Sequence, residues 1–291
     1  MPLSGSYMSN KLARLALAFA PENEDLVIGL LFLHTPWGWE DGGTTDGLRH
    51  LTVHFDRPEQ SAETEAALQA ACPEVRLERA SVDNADWTSA WKKYFTPIPI
   101  GSRFVVLPAW LKDEPCTAQP ILIEPKMAFG TGHHQTTALC LEALDRLATE
   151  GVLTAGQSFL DLGTGSGILG IAAVKLGLVG QGLDIDPVAI DNARENAALN
   201  AVEGAFKTAT GSVTDIPAEQ RFDCILANIL ANPLIDMAED ISARLARPGV
   251  LILSGILREQ ADRVVQAYIG QGLAAPEITY SGEWTLLVFR T

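Results

Sequence analysis

The run Phe159-Leu160-Asp161-Leu162-Gly163-Thr164-Gly165-Ser166-Gly167-Ile168, followed by Leu183-Asp184-Ile185-Asp186-Pro187, has the residue types of a nucleoside pocket. A buried strand enters a glycine turn and leaves as a helix. Glycines at 163, 165 and 167 permit positive φ and let backbone approach a ligand closely. Asp184, at the end of the next strand, can accept hydrogen bonds from both hydroxyls of a ribose. A pyrophosphate is disfavoured, because the dinucleotide fingerprint wants glycine at the sixth position of G-x-G-x-x-G and Ile168 stands there. Asp161 has three open readings: it orients the glycine loop, meets the ligand, or caps the turn. The bland alternative for the whole stretch is a turn that only joins strand to helix.

Ligands of open parallel sheets bind beyond the carboxyl ends of the strands, which makes strand-closing residues the candidates. Asn228 closes the fourth strand, within Leu226-Ala227-Asn228-Ile229-Leu230. Its side-chain oxygen can accept a hydrogen bond from an attacking amine and so aim the nitrogen lone pair. Asp186 before Pro187 reads as a helix N-cap with proline at the first helical position. Asn232-Pro233 lies past the strand end and reads as a turn or helix start. Upstream, Ala128-Phe129-Gly130-Thr131-Gly132-His133-His134-Gln135-Thr136-Thr137 precedes a helix expected over 138–148. Phe129, Gly130 and Thr131 belong to a stretch dense in backbone and hydroxyl donors for a carboxylate, and one of Thr136 and Thr137 is expected to cap the helix. His133 and His134 are adjacent and cannot readily point the same way, so neither is favoured as a proton acceptor.

Positioning these groups takes a sheet. Strands expected at 159–162, 181–184, 206–210, 223–228 and 250–254 alternate with helices, which implies a mostly parallel sheet covered on both faces. Strands at 277–280 and 283–290, joined by Ser281-Gly282, add an antiparallel hairpin at the sheet edge. The first eighty residues read as strand 12–19, helix 22–32, strand 48–55, helix 60–71 and strand 75–80, with a glycine-rich loop at 38–47 carrying Trp37 and Trp39. That order suggests a small α+β, ferredoxin-like domain. The two tryptophans either form a protein-contact surface or pack back on the sheet. Trp87 and Trp91, four apart, share one face of a connecting helix that Thr96-Pro97 stops. The domain boundaries expected are thus 1–80 for a substrate-recognition domain, 81–96 for a linker helix and 97–291 for the ligand-binding domain.

With 291 residues, 47% of them hydrophobic, the chain can bury a full core. No apolar run approaches the roughly 20 residues of a spanning helix. The apolar stretch 15–20 behind Lys11 and Arg14 is short for a secretory signal, and a cytoplasmic location is expected. Four scattered cysteines, at 72, 116, 140 and 224, form no C-x-x-C pair, so reduced thiols and no metal site are expected. A net charge of −15 argues against binding a nucleic-acid backbone and suits either a basic protein partner or mere solubility.

The pattern D-x-G-x-G-x-G resembles the first motif of the Rossmann-like class I S-adenosylmethionine-dependent methyltransferases. Joined to the string 128–137, to Asp184-Ile185-Asp186 and to Ala227-Asn228-Ile229-Leu230, it resembles the PrmA family, the methyltransferases of ribosomal large-subunit protein eleven. Trp87, Trp91, Pro97, Pro108, Trp110 and the closing Gly282-Glu283-Trp284 extend the resemblance over 81–291. Over 1–80 it rests on element order alone. The residues before Met8 depart from the family, which makes Met8 a candidate start. The resemblance implies S-adenosyl-L-methionine as cofactor, contacted by Thr137, Gly163, Asp184 and Asn228, with Gly165 beside them in the turn and Phe129, Gly130 and Thr131 in the upstream loop. It also implies methylation of lysine ε-amines and an N-terminal α-amine of protein eleven, gripped by the small domain. Separately, nothing in the sequence points to an obligate partner, and a monomer is expected. Lysine must first lose its proton, at a cost of about 4 kcal/mol near neutral pH, which a desolvating pocket can offset. Two readings compete: a related methyltransferase with another protein's lysine or a small amine as substrate, and a nicotinamide-dependent oxidoreductase. Ile168 and the lack of a catalytic acid or tyrosine motif count against the second.

Overall fold

The computed structural model describes residues 11–35, 39–55, 58–83, 96–124 and 134–291. The chain divides into two compact units, Met1–Phe95 and Thr96–Thr291. The expected linker helix does not start at 81, because residues 81–83 still pair as strand; 84–95, with Trp87 and Trp91, lie outside the described residues.

In the first unit, β1 (Lys11–Phe19), α1 (Glu24–His34), β2 (Glu40–Thr45), β3 (Leu48–Phe55), α2 (Pro58–Ala71) and β4 (Arg76–Asp83) follow in order. They form an antiparallel sheet of order β2-β3-β1-β4, the ferredoxin-like arrangement. Period-two alternation buries Leu15, Leu17 and Phe19 of β1 beside Leu51, Val53 and Phe55 of β3, against Val27 and Leu31 of α1 and Leu68 of α2. Strand β2 corrects the loop expected at 38–47. Glu40-Asp41-Gly42-Gly43 has poor strand propensity, but Asp46 and Gly47, at φ 52° and 77°, make the tight hairpin turn that Asp-Gly favours. Arg49 of β3 then holds Asp41 across the pair at 3.0 Å. Trp39 packs back on this core, while Trp37 lies outside the described residues.

The second unit opens with β5 (Ile98–Ile100), β6 (Phe104–Pro108) and β7 (Gln119–Ile123), a small sheet of its own. The main elements are α3 (Gln135–Thr149), β8 (Ser158–Leu162), α4 (Ile168–Lys175), β9 (Val179–Asp184), α5 (Pro187–Leu199), β10 (Phe206–Thr210) and β11 (Phe222–Asn228). After them come α6 (Ala231–Asp236), α7 (Ala238–Arg244), β12 (Leu245–Leu257), α8 (Ala261–Gly270), β13 (Glu277–Ser281) and β14 (Trp284–Arg290). The sheet runs β10-β9-β8-β11-β12-β14-β13, parallel through β12, with β14 antiparallel between β12 and the edge strand β13. Successive residues of β8 go to opposite layers: Phe159 joins the layer of α3 and α4, Leu160 that of α6, α7 and α8. Asp161 therefore projects from the α3–α4 face, where an apolar residue would ordinarily stand.

Candidate functional site

The glycine turn forms as its residue types demand. Gly163, Gly165 and Gly167 sit at φ 68°, 54° and 82°. The amides of Gly163 and Thr164 donate to the Leu183 carbonyl at 2.8 and 3.0 Å, tying the turn to the end of β9. A side chain at 163 would put its Cβ 2.3 Å from Ile229 Cγ2, so only glycine fits beside the end of β11.

Asp184 stands one residue past Leu183, half-buried. Its Oδ2 accepts from the Gly165 amide at 2.9 Å and its Oδ1 from the Asp186 amide at 3.0 Å. Each oxygen retains lone-pair capacity toward the cavity that this residue lines. Asp186 caps α5 through the Val188 amide at 2.8 Å, with Pro187 in the first turn.

Asp161 is 1% exposed, and its Oδ2 accepts from Thr164 Oγ1 at 2.6 Å and from the Gly170 amide at 3.1 Å. It orients the loop and caps the third residue of α4, two of the roles open from sequence. Burial, and then the Asp184 carboxylate, push it up to about 6, against hydrogen bonds from Thr164 and Gly170 that pull it down. A carboxyl whose folded value lies above its unfolded one contributes stability at low pH and loses it as pH rises through 6. Its ionised form at pH 7.5 thus costs about 3 kcal/mol. Asp161→Asn can keep both hydrogen bonds through one oxygen, and should melt higher than the parent at pH 7.5. The gap should shrink toward pH 5 and close below about 4. Thermal melts across that range check it, and a gap that widens on acidification would contradict the assignment.

Asn228, at the end of β11, donates from Nδ2 to Thr137 Oγ1 at 3.4 Å, and its buried Oδ1 has no hydrogen-bond partner among the described residues. Thr137 is buried in the first turn of α3. Neither threonine caps that helix, contrary to expectation. His134 does, its Nδ1 accepting from the Thr136 amide at 3.3 Å and lying 2.7 Å from Thr136 Oγ1. Burial lowers the His134 pKa, with Glu283 opposing, in keeping with a ring that accepts at Nδ1. Trp284 meets this ring edge-on at 4.9 Å. Phe129, Gly130, Thr131 and His133 lie outside the described residues.

A cavity of about 580 Å³, within the range of small-molecule sites, opens here, with Thr137 behind its wall rather than on it. Gly163, Gly165, Asp184, Asn228, His134 and Trp284 all line it. So do residues that sequence reasoning passed over. Gly211 and Ser212 directly follow the end of β10, where the strand-end rule would have found them. Gly255 sits at the bulge of β12, where a Cβ would lie 2.4 Å from the Ile229 carbonyl oxygen. Trp284 arrives from the antiparallel hairpin and has no local signal. A second hollow, about 460 Å³ and lined by Arg221, Glu239 and Arg247 among others, lies toward the start of β12, away from the glycine turn.

The family model described as "Ribosomal protein L11 methyltransferase (PrmA)" matches residues 42–291. The chain is 46% identical over 210 residues to the ribosomal protein L11 methyltransferase of Geobacter metallireducens, covering 70% of this chain and 66% of that relative. To the protein of the same name from Geobacter sulfurreducens it is 41% identical over 274 residues, 86% of each. Among solved structures, the ribosomal protein L11 methylase of Lactobacillus delbrueckii subsp. bulgaricus superposes with a TM-score of 0.58 at 32% identity, over 68% of this chain and 100% of that one.

Proposed function

The chain belongs to the ribosomal protein L11 methyltransferase family, and on that premise we propose that it transfers methyl groups from S-adenosylmethionine to lysine ε-amines and the N-terminal α-amine of ribosomal protein L11, the large-subunit protein eleven. It is an S-adenosylmethionine-dependent methyltransferase. The observation that carries the proposal is the Asn228 amide: a buried acceptor oxygen without a partner among the described residues, on a side chain that lines the cavity and donates from its nitrogen to Thr137. A buried acceptor left unpaired is costly, so it marks where a donor such as an amine belongs.

The residues present fit the cofactor. Asp184 would hold the ribose hydroxyls with the acceptor capacity its two backbone donors leave. Gly163 and Gly165, both at positive φ, would let backbone approach the ligand closely. Thr137 accepts from the Asn228 amide and so helps orient it; by family resemblance, Phe129, Gly130 and Thr131 are assigned to the same cofactor. When bound, the cofactor supplies an activated sulfonium methyl, so a strong general base is not required. The task of Asn228 is to hold the amine at Oδ1 with its lone pair aimed at that methyl. Leu162, Ile229 and Trp284 on the wall exclude water and favour the neutral amine over the ammonium.

The first unit recognises the substrate, and a net charge of −15 favours encounter with a basic ribosomal protein. The enzyme acts as a monomer in the cytoplasm, without binding nucleic acid directly; among the described residues no helix is long and apolar enough to cross a membrane. The expected result of incubating the chain with methyl-labelled cofactor and unmodified ribosomal subunits is label on L11 in lysine and N-terminal positions. Label that passes L11 by and enters another protein or a small amine would reject the substrate assignment.

A further inference from the structure

Asn192 and Asn196 of α5, with Asn200 at its C-cap, follow one another at single-turn spacing on an inward face. Two of these amides grip β7 and its continuation. Asn200 accepts from the Leu122 amide at 2.9 Å and donates to the Leu122 carbonyl at 2.6 Å. Asn196, fully buried, accepts from the Glu124 amide at 2.9 Å, two residues further along the same edge. Its Nδ2 points the other way and donates to the Ser166 carbonyl at 2.9 Å. One buried amide thus joins the glycine turn to the end of β7.

The turn is tied on its near side to Leu183 and Asp184. Ser166, 1% exposed, lies on its far side between two glycines at positive φ, a conformation the local sequence permits but does not enforce. We infer that Asn196 is a positioning residue of the cofactor site, fixing the far limb of the glycine turn through the Ser166 carbonyl. The inference rests on the cofactor reading above. Asn200 makes the same kind of bond to β7 without reaching the turn, and serves as the internal control.

Titration calorimetry with S-adenosylhomocysteine separates the possibilities, using the full chain, Asn196→Ala, Asn196→Asp and Asn200→Ala. The ionised aspartate, assayed on the alkaline side of neutrality, keeps an acceptor for the Glu124 amide but cannot donate to Ser166. Both Asn196 variants should bind about tenfold more weakly, the loss of roughly one hydrogen bond. In turnover assays their cofactor KM should rise while kcat at saturating cofactor stays near the parent value, a split that general loosening of the fold would not produce. Asn200→Ala should lower the melting temperature comparably and leave the affinity within about twofold. Unchanged affinity in Asn196→Asp, or an equal loss in Asn200→Ala, would reduce the asparagine ladder to scaffolding and overturn the inference. Should Asn196→Ala not fold, the aspartate variant decides alone. A parent chain that binds no S-adenosylhomocysteine would instead bring down the cofactor reading itself, and the inference with it.

Discussion

Asp184→Asn is expected to weaken S-adenosylhomocysteine binding at least a hundredfold, because the substitution strikes the site twice. The two charge-assisted hydrogen bonds proposed to the ribose hydroxyls would fall to weaker neutral ones or vanish, about 3 kcal/mol or more in sum. An amide also cannot serve both backbone donors now converging on the carboxylate. Oδ2 accepts from Gly165 and Oδ1 from Asp186, so one of these amides must face an NH₂ group. The turn that should lie against the nucleoside is thereby loosened by the same change that removes the ribose acceptor. Calorimetry on the folded variant checks the expectation, with the melting temperature as control. Affinity within threefold of the parent would place the sugar somewhere other than Asp184.

Asp184 was legible in the sequence because strand β9, glycine turn and acidic residue are all local features, each with its own residue signature. The same holds for Asp186, whose capping role needs only Pro187 and a following helix. Strand β2 was not legible, since Glu40-Asp41-Gly42-Gly43 is a poor strand on its own and is held by register with β3 and by Arg49. The cap of α3 falls on His134 rather than on a threonine for a related reason. Threonine is the commoner cap by composition, but Thr136 and Thr137 already lie inside the helix, and the His134 ring reaches the free amide. Trp284 and Gly255 come to the cavity by sheet order and a bulge, which appear only when β14 is seen antiparallel beside β12. Asn196 shows the limit from the other side. Its spacing from Asn192 and Asn200 is visible in the sequence, yet what the three amides grip is set by tertiary contact alone.

Asn228→Ala should lower kcat roughly a hundredfold and change the affinity for S-adenosylhomocysteine far less. The side chain's unpartnered Oδ1 is the acceptor in question, and its Nδ2 is already committed to Thr137. Removing it should take away the group proposed to aim the amine, while the ribose contacts proposed at Asp184 stay intact. Asn228→Asp makes a sharper test than alanine. A carboxylate accepts a hydrogen bond as well as an amide oxygen does, so if geometry were the whole requirement the aspartate variant would retain most of its activity. A carboxylate also stabilises the ammonium form of lysine, raising its pKa and deepening the deprotonation cost that a neutral, water-excluding pocket offsets. The aspartate variant should therefore be slow near neutral pH and recover as pH rises, its rate profile displaced to the alkaline side of the parent's. Coincident pH profiles for Asn228→Asp and the parent would mean that the amine does not approach this side chain. Its unpaired oxygen would then need another donor.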